Sequence, residues 1–221
     1  NLFQRQSLEF FGLEYSVARP GQISRVQNLV SMSSHRHRKS KDPRDFLDPR
    51  IFGIYRMEAS ERIAKPEGGV SANSKYLISR SDAMTRQFSN YAELKSLLVE
   101  NGFVEVVLSD LSFEEQVNLF YRSAEVVARH GGGLTNLLYS KDVRLLEYHS
   151  ARHGVRPDYM QIAALSDGGQ YWGCVSEMSG SNSSIKANLA TAERFVRREG
   201  PRKNIVGYPD FFEPKVSSRP Q

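Results

Sequence analysis

A single cysteine, Cys174, occurs in 221 residues. It has no partner for an intramolecular disulfide and offers no Cys-based zinc site, so nothing in the cysteine usage argues for an oxidising compartment. No apolar run is long enough to span a bilayer, and no leader of the secretory kind opens the chain. Methionine is missing from the first position, where Asn1 stands, so a processed or truncated piece of something longer is expected. No Asp-x-Asp pair occurs anywhere. What is present is ordinary for a soluble α/β protein: 39% apolar residues, 25% charged residues and a net charge of +5. That charge favours an anionic partner, whether nucleotide, nucleic acid or acidic membrane surface, and does not choose among them.

Residues 1–72 are the less regular part. Phe3 to Phe11 reads as a short helix closed by Gly12, and Leu13 to Val17 and Val26 to Met32 alternate as short strands do. Ser34 to Lys41 is the most basic stretch, either a solvated loop or an anion contact; His35 and His37 within it have no nearby Cys or acidic partner to complete a metal site. Asp48 caps an expected helix that has Pro49 in its first turn and runs to Ala64; Pro66 to Ser74 reads as linker.

From Lys75 the pattern becomes regular. Strands are expected at Lys75–Ser79, Phe103–Leu108, Val126–Ala128, Val143–Tyr148 and Tyr171–Val175. Between them lie a helix capped by Asn90 and closed by Gly102, a helix opened by the Ser112–Glu115 capping box, a short helix Leu134–Tyr139, and a helix from Pro157 through Leu165. Ile185 to Arg198 reads as an amphipathic helix that either crosses to another domain or covers this sheet. Strands alternating with helices imply an α/β fold, a Rossmann-like parallel sheet with helices on both faces. We expect residues 73–176 to form that core, 1–72 to be incoming linker and first elements, and 177–221 to be a loop and final helix.

Ligands of such sheets bind beyond the carboxyl ends of the strands. Those ends carry Arg80, Ser109 with Asp110, His130 with Gly131, Gly132 and Gly133, and Glu147, with Arg86 in the loop after Arg80. A strand, a glycine turn and a helix start form a device for an anion, because glycine lets backbone N–H groups approach it closely. Two arginines beside that turn would grip a diphosphate, and Glu147 would accept hydrogen bonds from sugar or ribose hydroxyls.

Tyr76-Leu-Ile-Ser-Arg80, Arg86, Asn90, Leu94, Gly102-Phe103, Leu111-Ser-Phe-Glu-Glu-Gln116, Ala124, His130-Gly-Gly-Gly-Leu-Thr-Asn136 and Leu145-Leu-Glu147 together resemble glycosyltransferase family 61. That family includes bacterial capsular-polysaccharide transferases, plant xylosyl- and arabinosyltransferases and animal N-acetylglucosaminyltransferases. The resemblance is read over residues 75–175. It implies an inverting GT-B enzyme with two Rossmann-like domains facing across a cleft, of which this chain is the C-terminal, nucleotide-sugar-binding one. By the same resemblance Arg80, Arg86, Ser112, His130, Gly131, Gly132, Gly133, Leu134, Thr135, Asn136 and Glu147 are the donor-binding candidates. His130 and Arg80 are the catalytic ones, with the acceptor base expected outside the chain. The sequence departs from the family pattern in reading Gly132 for alanine, Ala128 for a glycine and Tyr91 for an acidic residue. No segment matches the family's first domain, which is therefore expected from a missing segment or a partner.

Without an Asp-x-Asp pair to hold Mn²⁺ or Mg²⁺, guanidinium and backbone N–H groups are expected to stabilise the leaving diphosphate. Hence no metal and no cofactor are expected. The substrates would be a nucleotide-sugar, expected to be UDP-linked, and a glycan or polysaccharide acceptor, with membrane-surface association a further expectation and nucleic acid none. A bacterial protein would work in the cytoplasm or on the membrane's cytoplasmic face, a eukaryotic one in the Golgi or ER lumen. A non-catalytic nucleotide- or sugar-binding module and a nucleic-acid-binding protein remain the alternatives.

Overall fold

Five strands form one parallel sheet in the order β2-β1-β3-β4-β5: β1 Ser74–Ser79, β2 Phe103–Val107, β3 Ser123–Arg129, β4 Arg144–Ser150 and β5 Gln170–Ser176. The computed structural model describes residues 2–14, 49–63, 74–83, 85–152, 154–165, 169–179 and 184–199. Most of the strand expected from Leu13 to Val17, the strand expected from Val26 to Met32, the basic stretch 34–41, the Asp48 cap and the linker up to residue 73 lie outside these residues. The helices are α1 Leu2–Phe10, α2 Pro49–Arg62, α3 Tyr91–Glu100, α4 Phe113–Arg122, α5 Asp158–Ala164 and α6 Leu189–Val196. None of them is long and apolar enough to cross a membrane.

Side chains alternate across each strand, so the apolar pairs in the sequence divide between two cores. Ile78, Val126, Ala128 and Leu145 face α2, α4 and α5, where Phe113, Val117, Phe120 and Ile162 meet them. Leu77, Val127, Leu146 and Trp172 face α3 and α6, where Leu94, Leu98, Ala192 and Phe195 meet them. Burial on both sides explains why these strands read as continuous apolar runs.

Several local expectations hold for their stated reasons. Gly12 and Gly102 take φ of 65° and 82°, the left-handed conformation that ends a helix with least cost for glycine. Ser112 and Glu115 form the reciprocal capping box of α4. Three others are corrected. Asn90 stands at the start of α3, but its side chain makes no cap; it brackets the backbone of Ala187, with Nδ2 donating to the carbonyl at 3.0 Å and Oδ1 accepting from the N–H at 2.7 Å. Residues 185–187 are thereby drawn out of the expected helix: Ile185 bridges Phe88 and Met178, and α6 starts at Leu189 behind the Asn188 cap. The run after the glycines is a 3-10 helix, Gly132–Tyr139, longer and more tightly wound than the short helix expected at Leu134.

The final helix covers this sheet. Phe195 is fully buried, meets Trp172 edge-to-face at 5.7 Å and lies under the Arg144 guanidinium. At the opposite edge from the strand ends, Glu125 pairs with Arg144 at 3.1 Å and with Arg198 at 2.9 Å.

The hydroxyl of Ser112 is consumed by the cap, accepting from the Glu115 N–H and donating to its carboxylate. Ser112→Ala should therefore cost about 1 kcal/mol, a fall in Tm of about 2–4 °C by calorimetry, and leave ligand affinity unchanged.

Candidate functional site

In the strand order 2-1-3-4-5 the chain runs one way from β1 to β2 and the other way from β3 to β5. The loops leaving β1 and β3 therefore diverge and open a crevice at their carboxyl ends. Arg80 leaves β1 there, and His130-Gly131-Gly132-Gly133 leaves β3. The Arg80 head group lies against the α-carbon of Gly131 so closely that a methyl group placed there would be 2.6 Å from Nη1. The Arg80 Nε is buried without a hydrogen-bond partner. A hollow of about 110 Å³ between the two strand ends is lined by Ser79, Arg80, Asp82, Leu108, Arg129 and Gly131.

Two further arginines crowd this point. Arg129, the last residue of β3, donates from Nη1 to the Gln87 carbonyl at 2.9 Å. Burial, with Arg80 and Arg86 nearby, pushes its guanidinium down to about 10. Arg86 is exposed, with a backbone φ of 63°, a conformation that a side chain of this kind adopts only when its surroundings impose it. Like charges pressed together repel, and an anion between them removes the repulsion. A second hollow, about 90 Å³, joins Arg86 and Arg129 to His130, His149, Gly154 and Arg156. A third, about 400 Å³, opens on the other side of the glycine turn along Ser109, Gln116, Gly132, Thr135 and Asn136.

Behind His130 lies a buried polar network. The His130 Nδ1 is 2.5 Å from Glu147 Oε1, and Glu147 is wholly buried. The Tyr171 hydroxyl donates to Glu147 Oε2 at 2.9 Å and lies 2.8 Å from His149 Nε2. Tyr171 reaches that far because Gly173 has no side chain: a methyl group on Gly173 would be 3.1 Å from the Tyr171 ring and hydroxyl. Burial raises the pKa of Glu147, but the hydrogen bonds and electrostatic attraction of His130 and His149 outweigh it, and the carboxyl is held below its usual 4.5. An ionised carboxylate only accepts, so the proton of this pair sits on His130 Nδ1. The ring is flanked by His149 at 5.3 Å and Tyr159 at 5.2 Å between centroids.

Among the described residues, His130, Glu147 and His149 are the cluster whose ligand atoms come close enough to hold a metal, all within 4.8 Å. Ligands sharing one zinc ion at about 2.0–2.1 Å stand roughly 3.3 Å apart. The 2.5 Å contact between His130 and Glu147 is instead that of a charge-assisted hydrogen bond, and the neighbouring arginines oppose a cation. We read the cluster as a hydrogen-bonded network.

Arg80, Arg86, His130 and Gly131 of the sequence-derived set thus meet at one rim, with Gly132, Gly133, Thr135 and Asn136 lining the adjoining hollow. Several members are also engaged in packing or hydrogen bonds of the fold, and two lie away from the hollows. Glu147 is corrected: buried, with both oxygens occupied, it offers nothing to a sugar hydroxyl and holds His130 instead. Ser112 caps α4. Leu134 belongs to the core. Asn136 is buried and donates to Gln116 Oε1 at 2.8 Å. Gly133 packs on Leu108, where a methyl group would come within 2.5 Å of Cδ1. Arg129, His149 and Tyr171 were missed. The spacing Glu147-x-His149, which puts both side chains on one face at the end of a strand, was the available signal for His149.

The family model described as Glycosyltransferase 61 matches residues 16–144, more than half of the chain. The match begins well before the segment in which the resemblance was read and ends ahead of Glu147. No curated protein matches the chain.

The three glycines should separate by role. Gly132→Ala meets nothing within 4 Å and should leave Tm unchanged, whereas Gly133→Ala should cost about 1–3 kcal/mol through overpacking against Leu108, measured by denaturant unfolding. The depressed pKa of Glu147 gives stability that is complete above its unfolded value of 4.5 and is lost as pH falls through the lower folded value. Glu147→Gln should therefore be destabilised at neutral pH and show a shallower loss of stability on acidification below that value.

Proposed function

The chain belongs to glycosyltransferase family 61, and from that premise we propose that it binds a nucleotide-diphosphate sugar at the β1/β3 crevice and transfers the sugar with inversion, without a metal ion. The observation that carries this reading is the Arg80 guanidinium, seated on Gly131 with a buried unpartnered Nε, beside Arg86 and Arg129. A diphosphate there neutralises crowded positive charge and accepts from groups already oriented, which is how a fixed site stabilises charge without reorganising.

As the bond from the anomeric carbon to the phosphate oxygen breaks, negative charge grows on the leaving diphosphate, and Arg80, Arg86 and the N–H groups of the glycine turn meet it. The new bond forms to an acceptor hydroxyl on the opposite face of the sugar, whose proton passes to a base. We assign no described residue to that base. The hollow along Ser109, Gln116 and Thr135 is large enough to take part of the nucleoside or sugar. Polysaccharide or glycan as acceptor, and uridine as the donor base, follow the family resemblance.

Arg80→Ala should weaken binding of uridine diphosphate about 10-fold or more, the loss of a hydrogen bond between charged groups, while Tm stays close to that of the unsubstituted protein. Calorimetry in EDTA and in Mn²⁺ should give the same affinity. Binding that appears only with Mn²⁺ would contradict the metal-free reading, and an unchanged affinity in Arg80→Ala would contradict the site.

A further inference from the structure

The network behind the rim has no part in gripping phosphate directly, yet it is built with more care than packing requires. A carboxylate with no solvent exposure costs several kcal/mol unless its oxygens are satisfied. Here Oε1 accepts from His130 Nδ1 at 2.5 Å and Oε2 accepts from the Tyr171 hydroxyl at 2.9 Å. His149 Nε2, at 2.8 Å from that hydroxyl and 3.3 Å from Oε2, completes the shell as a donor, because the tyrosine proton is already committed to Glu147. On the His130 ring one nitrogen is left over. His130 Nε2 lies on the far side of the imidazole from Glu147, in a side chain 22% exposed, on the wall of the hollow shared with Arg86, Arg129 and Arg156.

We propose that Glu147, backed by Tyr171 and His149, is a positioning residue that commits the Nδ1 proton of His130 to the sheet and leaves Nε2 facing the donor diphosphate, to which it donates as imidazolium. The inference rests on the donor-site reading above and deepens it. The charged groups around the ring come from several elements, with Asp82 lining the neighbouring hollow beside Arg80 and Arg129. Arg80 from the end of β1, Arg86 from the following loop, Arg129 from β3 and Arg156 ahead of α5 oppose a second proton on His130, and Arg156 is itself paired with Asp158 at 3.2 Å. Glu147 favours that proton, while His149, Tyr171 and Tyr159 contribute no negative charge at neutral pH. With the Nδ1 proton committed to Glu147, Nε2 meets a phosphate oxygen as a donor only by taking up a second proton, and a bound diphosphate neutralises the arginines that would repel it. Glu147 compensates the imidazolium from behind, where its own charge is screened from the phosphate by the ring. The proton comes from solvent and stays on Nε2 as a hydrogen-bond donor to the leaving oxygen.

The test is nitrogen-15 NMR of the imidazoles in the full chain near neutral pH, with inorganic pyrophosphate as probe and the His130 signals assigned by their loss in His130→Gln. Free protein should show His130 protonated at Nδ1 alone, and saturation with pyrophosphate should protonate both nitrogens. Glu147→Gln should lose the doubly protonated form several-fold while still binding. Tyr171→Phe, which removes a single hydroxyl and guards against a folding defect in Glu147→Gln, should lose part of it. An Nε2–H tautomer in the free protein, or a His130 signal that ignores bound pyrophosphate, overturns the proposal. So does a doubly protonated fraction equal in Glu147→Gln and the unsubstituted protein, the result a merely structural carboxylate would give. Failure of pyrophosphate to bind at all counts instead against the donor-site reading, and the tautomer of the free protein still decides whether Glu147 positions the ring.

Discussion

The site depends on one close approach: a guanidinium lying on a glycine at the point where the sheet changes direction. Arg80 sits where it does because β1 ends there, and the turn after β3 admits it because Gly131 has no β-carbon, a methyl group at that position falling 2.6 Å from Nη1. Two segments fifty residues apart in sequence are brought together by β1 and β3 pairing as neighbours, Leu77 opposite Val127 and Ile78 opposite Ala128. The same pairing brings Arg129 beside Arg80, and the three arginines form an electropositive rim that Asp82, the one carboxylate lining the hollow between the strand ends, offsets in part. The charge of Glu147 is turned away into the sheet, toward His130 and Tyr171.

That division of labour explains why the rim and its support look so different. The rim is open and its charges repel one another, as a site awaiting an anion requires. The support is closed and fully satisfied: Glu147 with three donors, His130 between two rings, Tyr171 laid over Gly173 so that a phenol on β5 reaches a carboxylate on β4. Positioning groups on strands of a sheet packed on both faces holds them more rigidly than loops would.

Much of this was legible in the sequence. The five strands and their parallel sense follow from apolar runs separated by helical spacing, and the strand-end rule picked out Arg80, Arg86, His130 and the glycines as neighbours. The pairwise chemistry was not legible. Glu147 looks like a ligand for hydroxyls at the end of a strand, and only the register of β4 against β5, Glu147 opposite Gly173, reveals the gap through which Tyr171 reaches it. Arg129 reads as one more strand residue until β1 lies beside it. Asn90 has the composition and place of a helix cap, yet a segment nearly a hundred residues later takes its side chain, and the same contact removes residues 185–187 from a helix that their own pattern favours. Tertiary partners overrode local preference in each case, and such partners leave no mark at short range in the chain.

The most direct measurement is a crystal structure of the protein with uridine diphosphate bound. The account predicts the two phosphates in the crevice between β1 and β3, within hydrogen-bond distance of Arg80 and of the backbone N–H groups following His130. Phosphates bound elsewhere, with the Arg80 head group still resting on Gly131 and no anion beside it, would contradict it.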